Sequence, residues 1–459
     1  MIPKFAVVGR VNEGKSSVIA TLTENDQIAM SPIPGTTRKS RSFNYVCGDT
    51  TILTVFDTPG FQEPERAFAW LQDKAKGPAT ERPEIVAEFV HQFAGDEDFV
   101  DECELLKPIL DGAAILYVVD ASHPYRSSYE AEFEILRWTG RPRMALINSI
   151  RDEDYSQDWK KSLSQHFNLI FDFNAHAARF DRRLALLEAL RLLDEKIAPG
   201  IDRAIAVFSA EKRDRQRDCA GLIAGFLTQA LTYQLISSGK ETDQLKGLEQ
   251  YRAHIRKLEV DLRKDMRKRF HFSTSFEEQV TDGVATEDVF SERTWRVLGL
   301  DTKQLVAVAA TAGATFGLGI DVALGGSSLL LGATLGALAA AGSTAWWAND
   351  TPTLKQYGIE FSGTKTAIGP IKSPNWPWLL LDRCLIYFSA LLGRTHAMSG
   401  DLDEKSKEGI TTKLDKKTRD ELGKEFALIR KNRASGKLDE LILELIRDID
   451  GPERKLEKN

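Results

Sequence analysis

The most informative part of the sequence is residues 5–17, which read Phe5-Ala6-Val7-Val8-Gly9-Arg10-Val11-Asn12-Glu13-Gly14-Lys15-Ser16-Ser17. Four apolar residues, typical of a short buried strand, lead into the pattern G-x-x-x-x-G-K-S, and an apolar helical stretch follows over residues 18–22. This order of strand, loop and helix is the context in which a glycine-rich loop binds phosphates, because inward-turned backbone N–H groups and the positive helix end attract an anion. A tight glycine turn without a ligand is the alternative, and the motifs that follow disfavour it.

The loop pattern assigns most of the candidate nucleotide contacts. Lys15 is expected to reach the β- and γ-phosphates, and Ser16 is expected to ligate Mg²⁺. The other loop residues predicted to bind the nucleotide are Gly9, Asn12, Glu13, Gly14 and Ser17.

Two further motifs follow in the order that a nucleotide switch requires. Residues 33–38 read I-P-G-T-T-R and occupy the place of a first switch loop, where the Thr37 hydroxyl can ligate Mg²⁺. A strand-forming run over 51–56 then ends in the sequence D-T-P-G, in which Asp57 can hold Mg²⁺ through water and Gly60 can donate to the γ-phosphate. A simple β-turn is the alternative for D-T-P-G alone. The predicted catalytic residues are Lys15, Thr37 and Gly60, and the predicted Mg²⁺ ligands are Ser16, Thr37 and Asp57.

These three motifs resemble the first three motifs of the Era-like bacterial GTPases, close to the tRNA-modification GTPase branch. The resemblance covers about the first 195 residues. It implies an α/β P-loop G domain, with a mostly parallel sheet flanked by helices, that hydrolyses GTP to GDP with Mg²⁺. By the same resemblance Thr37 is the switch threonine, and Asn12 matches an asparagine that helps hold K⁺ in potassium-stimulated members. A plain polar loop residue is an equally good interpretation of Asn12.

The guanine-binding motif departs from the family pattern. After Asn148 the family has Lys-x-Asp, whereas residues 149–151 read S-I-R. Arg151 has no hydrogen-bond acceptor for the guanine edge, so we expect weaker selection of GTP over ATP. Asn148 is still predicted to read the base, together with Asn174 and Ala175 in the loop after the last strand.

A second departure concerns the attacking water. The best-known GTPases orient it with a glutamine directly after the D-x-x-G glycine, but this chain has Phe61 there and Gln62 one residue later. An apolar side chain cannot orient water, so intrinsic hydrolysis should be slow. The resemblance implies that a monovalent cation, a partner or dimerisation compensates.

The D-T-P-G sequence occupies the place of a second switch. A long insertion, residues 62–111, separates it from the next buried strand, 113–121. A segment of this length beside a switch suits a lid or a partner surface. An insertion that merely packs on the sheet edge is an equally good interpretation.

Beyond residue 200 the sequence becomes helical and shows no recognisable catalytic constellation. Apolar residues spaced three and four apart over 219–231 and 248–262 predict two buried helix faces, in an ordinary helical bundle rather than a coiled-coil hairpin. A glycine-rich β-hairpin is predicted over 359–371, and a further helix is predicted to start at residues 375–377.

The stretch 305–347 is almost uncharged, with Asp321 its single charged residue, and its small residues recur every four positions. This spacing predicts a glycine-zipper hairpin, whose second half is long enough for a bilayer, which takes about 20 residues. A buried hairpin inside a soluble domain stays the alternative.

The composition is that of a globular protein with a formal net charge of −6, which argues against nucleic acid as a partner without excluding a local basic patch. Four scattered cysteines show neither metal-ligand nor disulfide spacing and suggest a reducing compartment. The chain opens as a strand rather than as a signal segment, so we expect the G domain in the cytoplasm, associated with the inner membrane through 305–347.

The sequence therefore predicts a G domain over 1–198 and a helical domain over 199–459. We expect a GTP- and GDP-binding switch that drives a membrane-associated or partner-binding helical domain, alone or as a dimer. The alternatives are a soluble ribosome- or RNA-associated GTPase and a nucleotide-gated structural protein with negligible turnover.

Overall fold

The computed structural model describes residues 2–23, 39–148, 154–173, 180–238, 241–270, 288–290, 360–362, 365–393 and 409–451. These residues form two compact units. The first contains the described residues up to Arg213, and the second contains nearly all of those from Asp214 onward. The division falls inside a long helix, and the predicted limits 1–198 and 199–459 stay predictions.

A six-stranded sheet organises the first unit, with strand order β2-β3-β1-β4-β5-β6. Every neighbouring pair is parallel except β2 and β3, which form an antiparallel pair. This is the predicted, mostly parallel sheet. The strands are β1 (Lys4–Val8), β2 (Arg41–Cys47), β3 (Thr50–Asp57), β4 (Ala114–Asp120), β5 (Arg143–Asn148) and β6 (Leu169–Asp172).

Helices cover both faces of this sheet, which is why its central strands are apolar throughout. Alternate side chains of β1 enter different cores: Phe5 and Val7 pack on one face, and Ala6 and Val8 on the other. The helices of the first unit are α1 (Lys15–Thr23), α2 (Pro64–Lys74), α3 (Arg82–Gln92), α4 (Val100–Leu110), α5 (Glu130–Trp138), α6 (Ser156–Leu163) and α7 (Phe180–Arg191).

The insertion 62–111 folds as the three helices α2, α3 and α4. Their apolar side chains, such as Leu71, Phe89 and Leu106, are buried in the same core as Val8 and Tyr117 of the sheet. The insertion therefore packs on a face of the sheet and contributes to the core of the first unit.

The second unit is mainly helical, as the sequence predicted. The long helix α8 (Ala198–Thr232) runs into it, and α9 (Glu241–Arg269), α10 (Trp376–Gly393), α11 (Lys416–Ile429) and α12 (Leu438–Asp450) follow. The predicted helix start at 375–377 is confirmed. The buried residues Leu227, Ile255, Leu385, Phe426 and Ile446 are among those that form its interior.

A small antiparallel sheet completes the second unit, with β9 (Lys365–Ile368) between β7 (Leu235–Ser238) and β8 (Glu360–Ser362). The pairing of β8 with β9 confirms the predicted hairpin. Strand β7 lies between the two predicted helix faces, and it pairs with β9, which comes much later in the chain.

The apolar stretch 305–347 lies outside the described residues, so the glycine-zipper hairpin stays a prediction. Among the helices in the described part of the chain, none is long and apolar enough to cross a membrane.

Candidate nucleotide site

The loop between β1 and α1 has the positive φ angles that its glycines predict. Gly9 and Gly14 have positive φ angles of 148° and 93°, and Asn12 adopts the left-handed region at 68°. A Cβ atom on Gly9 would lie 2.4 Å from the carbonyl oxygen of Val118, so a side chain is excluded there. Asn12 is exposed, and asparagine tolerates this conformation better than most residues.

Lys15 points back into this loop. Its Nζ donates to the carbonyl oxygens of Gly9, at 2.8 Å, and Arg10, at 2.9 Å. Burial lowers the pKa of Lys15, and the negative charges of Glu13 and Asp57 oppose that shift. The ammonium group is therefore held where the phosphates of a nucleotide would enter.

Glu13, one of the predicted nucleotide contacts, is a buried loop residue. Its carboxylate accepts hydrogen bonds from the N–H of Arg10, at 2.8 Å, and from the hydroxyl of Tyr129, at 2.7 Å. Burial raises the pKa of Glu13 to about 7. The side chain is thus engaged inside the first unit, and its backbone is the part left for a phosphate.

Arg10 connects the loop to helix α5. Its Nε lies 2.6 Å from Oε1 of Glu132, and its guanidinium lies 3.6 Å from the ring centroid of Tyr129. Glu132 also accepts from the Tyr117 hydroxyl at 2.6 Å. Burial raises the pKa of Glu132, and the bonds from Tyr117 and Arg10 oppose that shift. We call Arg10, Glu13, Tyr117, Tyr129 and Glu132 the floor cluster.

Sequence reasoning missed most of the floor cluster. One signal was available, since Glu132 falls beside Phe133 and Leu136 on the buried side of α5, where an unpaired carboxylate would be costly. Its partner Arg10 could not be identified, because 122 positions separate the two residues in the chain.

The D-T-P-G turn lies against the phosphate loop. Parallel pairing of β1 with β3 aligns Val7 with Asp57, and the Thr58 hydroxyl donates to the Val7 carbonyl at 2.8 Å. A Cβ atom on Gly60 would lie 3.2 Å from the carbonyl oxygen of Gly9. The structure thus brings Asp57 and Gly60 to the loop, as the motif order predicted.

Asn148 ends β5 and is fully buried. Its Nδ2 donates to the carbonyl oxygen of Glu13 at 3.2 Å, so this residue braces the phosphate loop from a neighbouring strand. The other two residues predicted to read the base, Asn174 and Ala175, lie outside the described residues, and so do Arg151 and the switch residue Thr37.

The segment after Gly60 is held by a residue that the sequence did not single out. Phe61 packs in the core, and the N–H groups of Gln62 and Glu63 both donate to Oε1 of Glu102, each at 2.7 Å. Glu102 lies on α4 and is fully buried. Burial raises its pKa, and the two N–H donors oppose that shift.

The described residues fit a magnesium ion of the GTPase kind. Ser16 follows Lys15 as the second residue of α1, and Asp57 ends β3, so a hydroxyl and a carboxylate oxygen flank the loop. In the described part of the chain, no group of three or more His, Cys, Asp or Glu residues could hold a metal ion. A hydroxyl and a carboxylate oxygen are the kind of ligands with which proteins bind Mg²⁺ together with substrate phosphates.

Two protein families match the chain. Residues 4–149 match the family described as 50S ribosome-binding GTPase, and residues 160–444 match the family described as Domain of unknown function (DUF3482). The first unit thus contains a P-loop GTPase domain, and a helical domain of unknown function follows, which confirms the resemblance seen in the motifs.

Curated relatives share a short segment with this chain. GTPase Der of Protochlamydia amoebophila is 42% identical over 79 residues, which are 17% of this chain and 16% of that protein. GTPase Der of Streptococcus thermophilus is 36% identical over 67 residues, 15% of each chain. The chain therefore spans a small part of the length of the curated relatives it matches.

Some solved structures are similar to part of the chain. A variant of Era from Aquifex aeolicus bound to GDP·AlF4⁻ is 19% identical, with a TM-score of 0.27, over 38% of this chain and 51% of that one. Era in complex with MgGDPNP and a segment of 16S ribosomal RNA has the same values. A GTP-binding protein from Sulfolobus solfataricus in complex with GDP is 20% identical, with a TM-score of 0.21, over 44% of this chain and 53% of that one.

Proposed function

Because the chain belongs to the family defined by a domain of unknown function (DUF3482) and carries a P-loop GTPase domain ahead of it, we propose that it binds GTP, hydrolyses it to GDP and transmits the nucleotide state to its helical domain. The observation that carries this proposal is the phosphate loop. The Lys15 ammonium lies inside it, and the Asp57-to-Gly60 turn packs against it.

The residues of the loop account for phosphate binding. On arrival of a nucleotide, Lys15 exchanges its two carbonyl acceptors for phosphate oxygens, which are stronger acceptors because they are charged. The first N–H groups of α1 lie at the positive end of the helix dipole and therefore favour the anion. Gly60 supplies an N–H to the γ-phosphate. Ser16, Asp57 and Thr37 would hold Mg²⁺, which when bound neutralises phosphate charge.

The proposal is tested by calorimetric titration of the full chain with GDP, GDPNP and ATP in Mg²⁺, followed by a phosphate-release assay with GTP. We expect binding of GDP and GDPNP and slow release of phosphate. Binding of neither guanine nucleotide would reject the function. Binding without any release above the uncatalysed rate would instead support the nucleotide-gated structural protein.

We also propose that a monovalent cation assists hydrolysis. Phe61 is packed in the core and cannot orient water, so charge on the transferring phosphoryl group must be met by another group. Asn12 is exposed on the loop in a left-handed conformation and is the residue proposed to help hold K⁺. Phosphate release should be faster in K⁺ than in Na⁺, and Asn12→Ala should remove the difference. Equal rates in both salts would point to a protein partner or a dimer instead.

The proposed output of the switch is a membrane contact through residues 305–347, which carry Asp321 as their single charge. Deletion of 305–347 should move the chain from the membrane pellet to the supernatant while GDP binding persists. The point variant Leu331→Lys should weaken the membrane association, since a lysine at the centre of a span costs about 2.5–3.5 kcal/mol. A full chain that never pellets with membranes would leave a buried hairpin as the explanation.

A ribosome-associated GTPase is the second candidate, favoured by the description of the family that matches residues 4–149. The net charge of −6 argues against it. Sedimentation of the full chain with purified ribosomes in GDPNP and in GDP separates the two candidates. Co-sedimentation that depends on GDPNP and survives deletion of 305–347 would favour the ribosome.

A further inference from the structure

The carboxylate of Glu102 is placed unusually for a buried charge. It lies on α4 with no exposed surface, and its Oε1 accepts two backbone hydrogen bonds from consecutive residues, Gln62 and Glu63. Within the described part of the chain its Oε2 has no hydrogen-bond partner, and no ion pair involves Glu102. The negative charge of the Asp101 carboxylate also raises the pKa of Glu102.

The buried carboxylate has an identifiable compensation. A buried carboxylate without a cationic partner is costly, and the hydrogen bonds that Glu102 accepts from Gln62 and Glu63 offset that cost. What the carboxylate does provide is a strong acceptor for two N–H groups that would otherwise be unsatisfied beside the core.

The two donors lie two and three residues after Gly60, the residue that should contact the γ-phosphate. Gly60 packs against the phosphate loop, Phe61 is anchored in the core, and the next two peptide N–H groups are bound by Glu102. The orientation of the peptide groups on the far side of Gly60 is therefore set by α4, which belongs to the insertion 62–111 rather than to the loop motifs.

We propose that Glu102 is a positioning residue for the second switch, holding residues 60–63 so that the Gly60 N–H is preorganised for the γ-phosphate. This inference rests on the proposed GTPase function. Since GDP lacks the γ-phosphate, Glu102 contributes to the affinity for GTP and to the rate of hydrolysis, and not to the affinity for GDP.

The test compares four full-length proteins: the unchanged chain, Glu102→Ala, Glu102→Gln and the control Glu97→Gln. The control removes one negative charge from an exposed position just before α4. Calorimetry gives the affinities for GDP and for GDPNP in Mg²⁺. Hydrogen exchange of the nucleotide-free chains gives the protection of the N–H groups of residues 61–63.

We expect Glu102→Ala to weaken GDPNP binding about tenfold, which is the effect of losing one charge-assisted hydrogen bond, here from the Gly60 N–H to the γ-phosphate. The GDP affinity should stay within about twofold of that of the unchanged chain. Glu102→Gln keeps one acceptor oxygen and should lose about threefold for GDPNP, with faster exchange at residues 61–63. Glu97→Gln should match the unchanged chain in all three measurements. If Glu102→Ala does not fold, Glu102→Gln decides alone.

An equal loss for GDP and GDPNP would overturn the inference, because Glu102 would then act through the stability of the whole domain. Unchanged affinities with unchanged exchange would overturn it too. Failure of the unchanged chain to bind GDP would reject the proposed function instead, and the exchange of residues 61–63 would still show whether Glu102 holds the segment.

Discussion

Each compact unit contains an arginine–glutamate pair that is largely withdrawn from water, but the two pairs have different neighbours. In the first unit Arg10 Nε lies 2.6 Å from Oε1 of Glu132, and the Tyr117 hydroxyl donates to the other oxygen of that carboxylate. In the second unit Arg383 Nε lies 2.7 Å from Glu259 on α9, and a second arginine, Arg263, shares the same oxygen at 2.7 Å.

The pair in the first unit lies at the candidate site, whereas the pair in the second unit joins elements of the fold. Arg10 is part of the phosphate loop and is 29% exposed, whereas Arg383 is 1% exposed and joins two helices of the second unit. Loss of the first pair should therefore change nucleotide binding, and loss of the second should change the free energy of unfolding.

The largest effect is expected at the phosphate loop itself. Lys15→Ala should weaken GDP binding by at least about a hundredfold, because two charge-assisted hydrogen bonds are worth about 1.5–3 kcal/mol each. The control is Lys74→Ala, an exposed lysine in the same unit, which pairs with Glu88 on the surface. Calorimetry on both variants measures the difference. If the GDP affinity of Lys15→Ala lies within a few-fold of that of the unchanged chain, the assignment of Lys15 to a phosphate site is wrong.

The two pairs are compared directly by Glu132→Gln and Glu259→Gln. Glu259→Gln leaves Arg383 buried without its anion and should lower the free energy of unfolding by about 3 kcal/mol, with GDP affinity unchanged. Glu132→Gln should weaken GDP binding about tenfold, since Arg10 no longer fixes the loop against α5. Urea titration and calorimetry on both variants give the two quantities. Equal effects on GDP affinity would remove the distinction.

The free energy of unfolding should depend on pH because of one buried carboxyl group in the second unit, that of Asp382. Burial raises the pKa of Asp382 from 3.8 to about 6, against the hydrogen bonds it accepts from Thr411. The folded chain thus keeps this proton to a higher pH than the unfolded chain, so stability is fully present below about pH 4 and falls as pH rises to about 6.

The variant Asp382→Asn should lack this part of the pH dependence, which corresponds to about 2–3 kcal/mol between pH 4 and 6. Urea titrations at pH 4, 5, 6 and 7 on both chains give the difference. Other buried carboxylates with raised pKa values, such as Glu13 and Glu102, contribute equally to both chains and cancel. Parallel stability curves for the two chains would show that Asp382 does not titrate in this range.

The smallest effect is expected at the base. Arg151→Asp should raise the ratio of GTP to ATP affinity about tenfold, because an aspartate supplies the acceptors that the guanine edge needs. Competition titrations with GTP and ATP on both chains measure it. An unchanged chain that already excludes ATP by several orders of magnitude would show that another group reads the base.

Much of the candidate site could be predicted because its signals are local. The glycines of the phosphate loop, the lysine and serine that follow, and the D-T-P-G turn stand at short, fixed spacings, and parallel strands necessarily bring their ends to one edge of a sheet. The helix start near Trp376 and the hairpin of β8 and β9 were predictable for the same reason.

Local patterns in the sequence were therefore enough for the fold class of the first unit, the position of the loop and the residue types of the candidate site. Only the folded chain shows that Glu13 turns inward to Tyr129, that Arg10 pairs with Glu132, and that Glu102 accepts hydrogen bonds from the segment after Gly60. The physical reason is sequence separation. These pairs join residues 39 to 122 positions apart, and their partners are set by packing, burial and the need to satisfy buried polar groups, which no local pattern records.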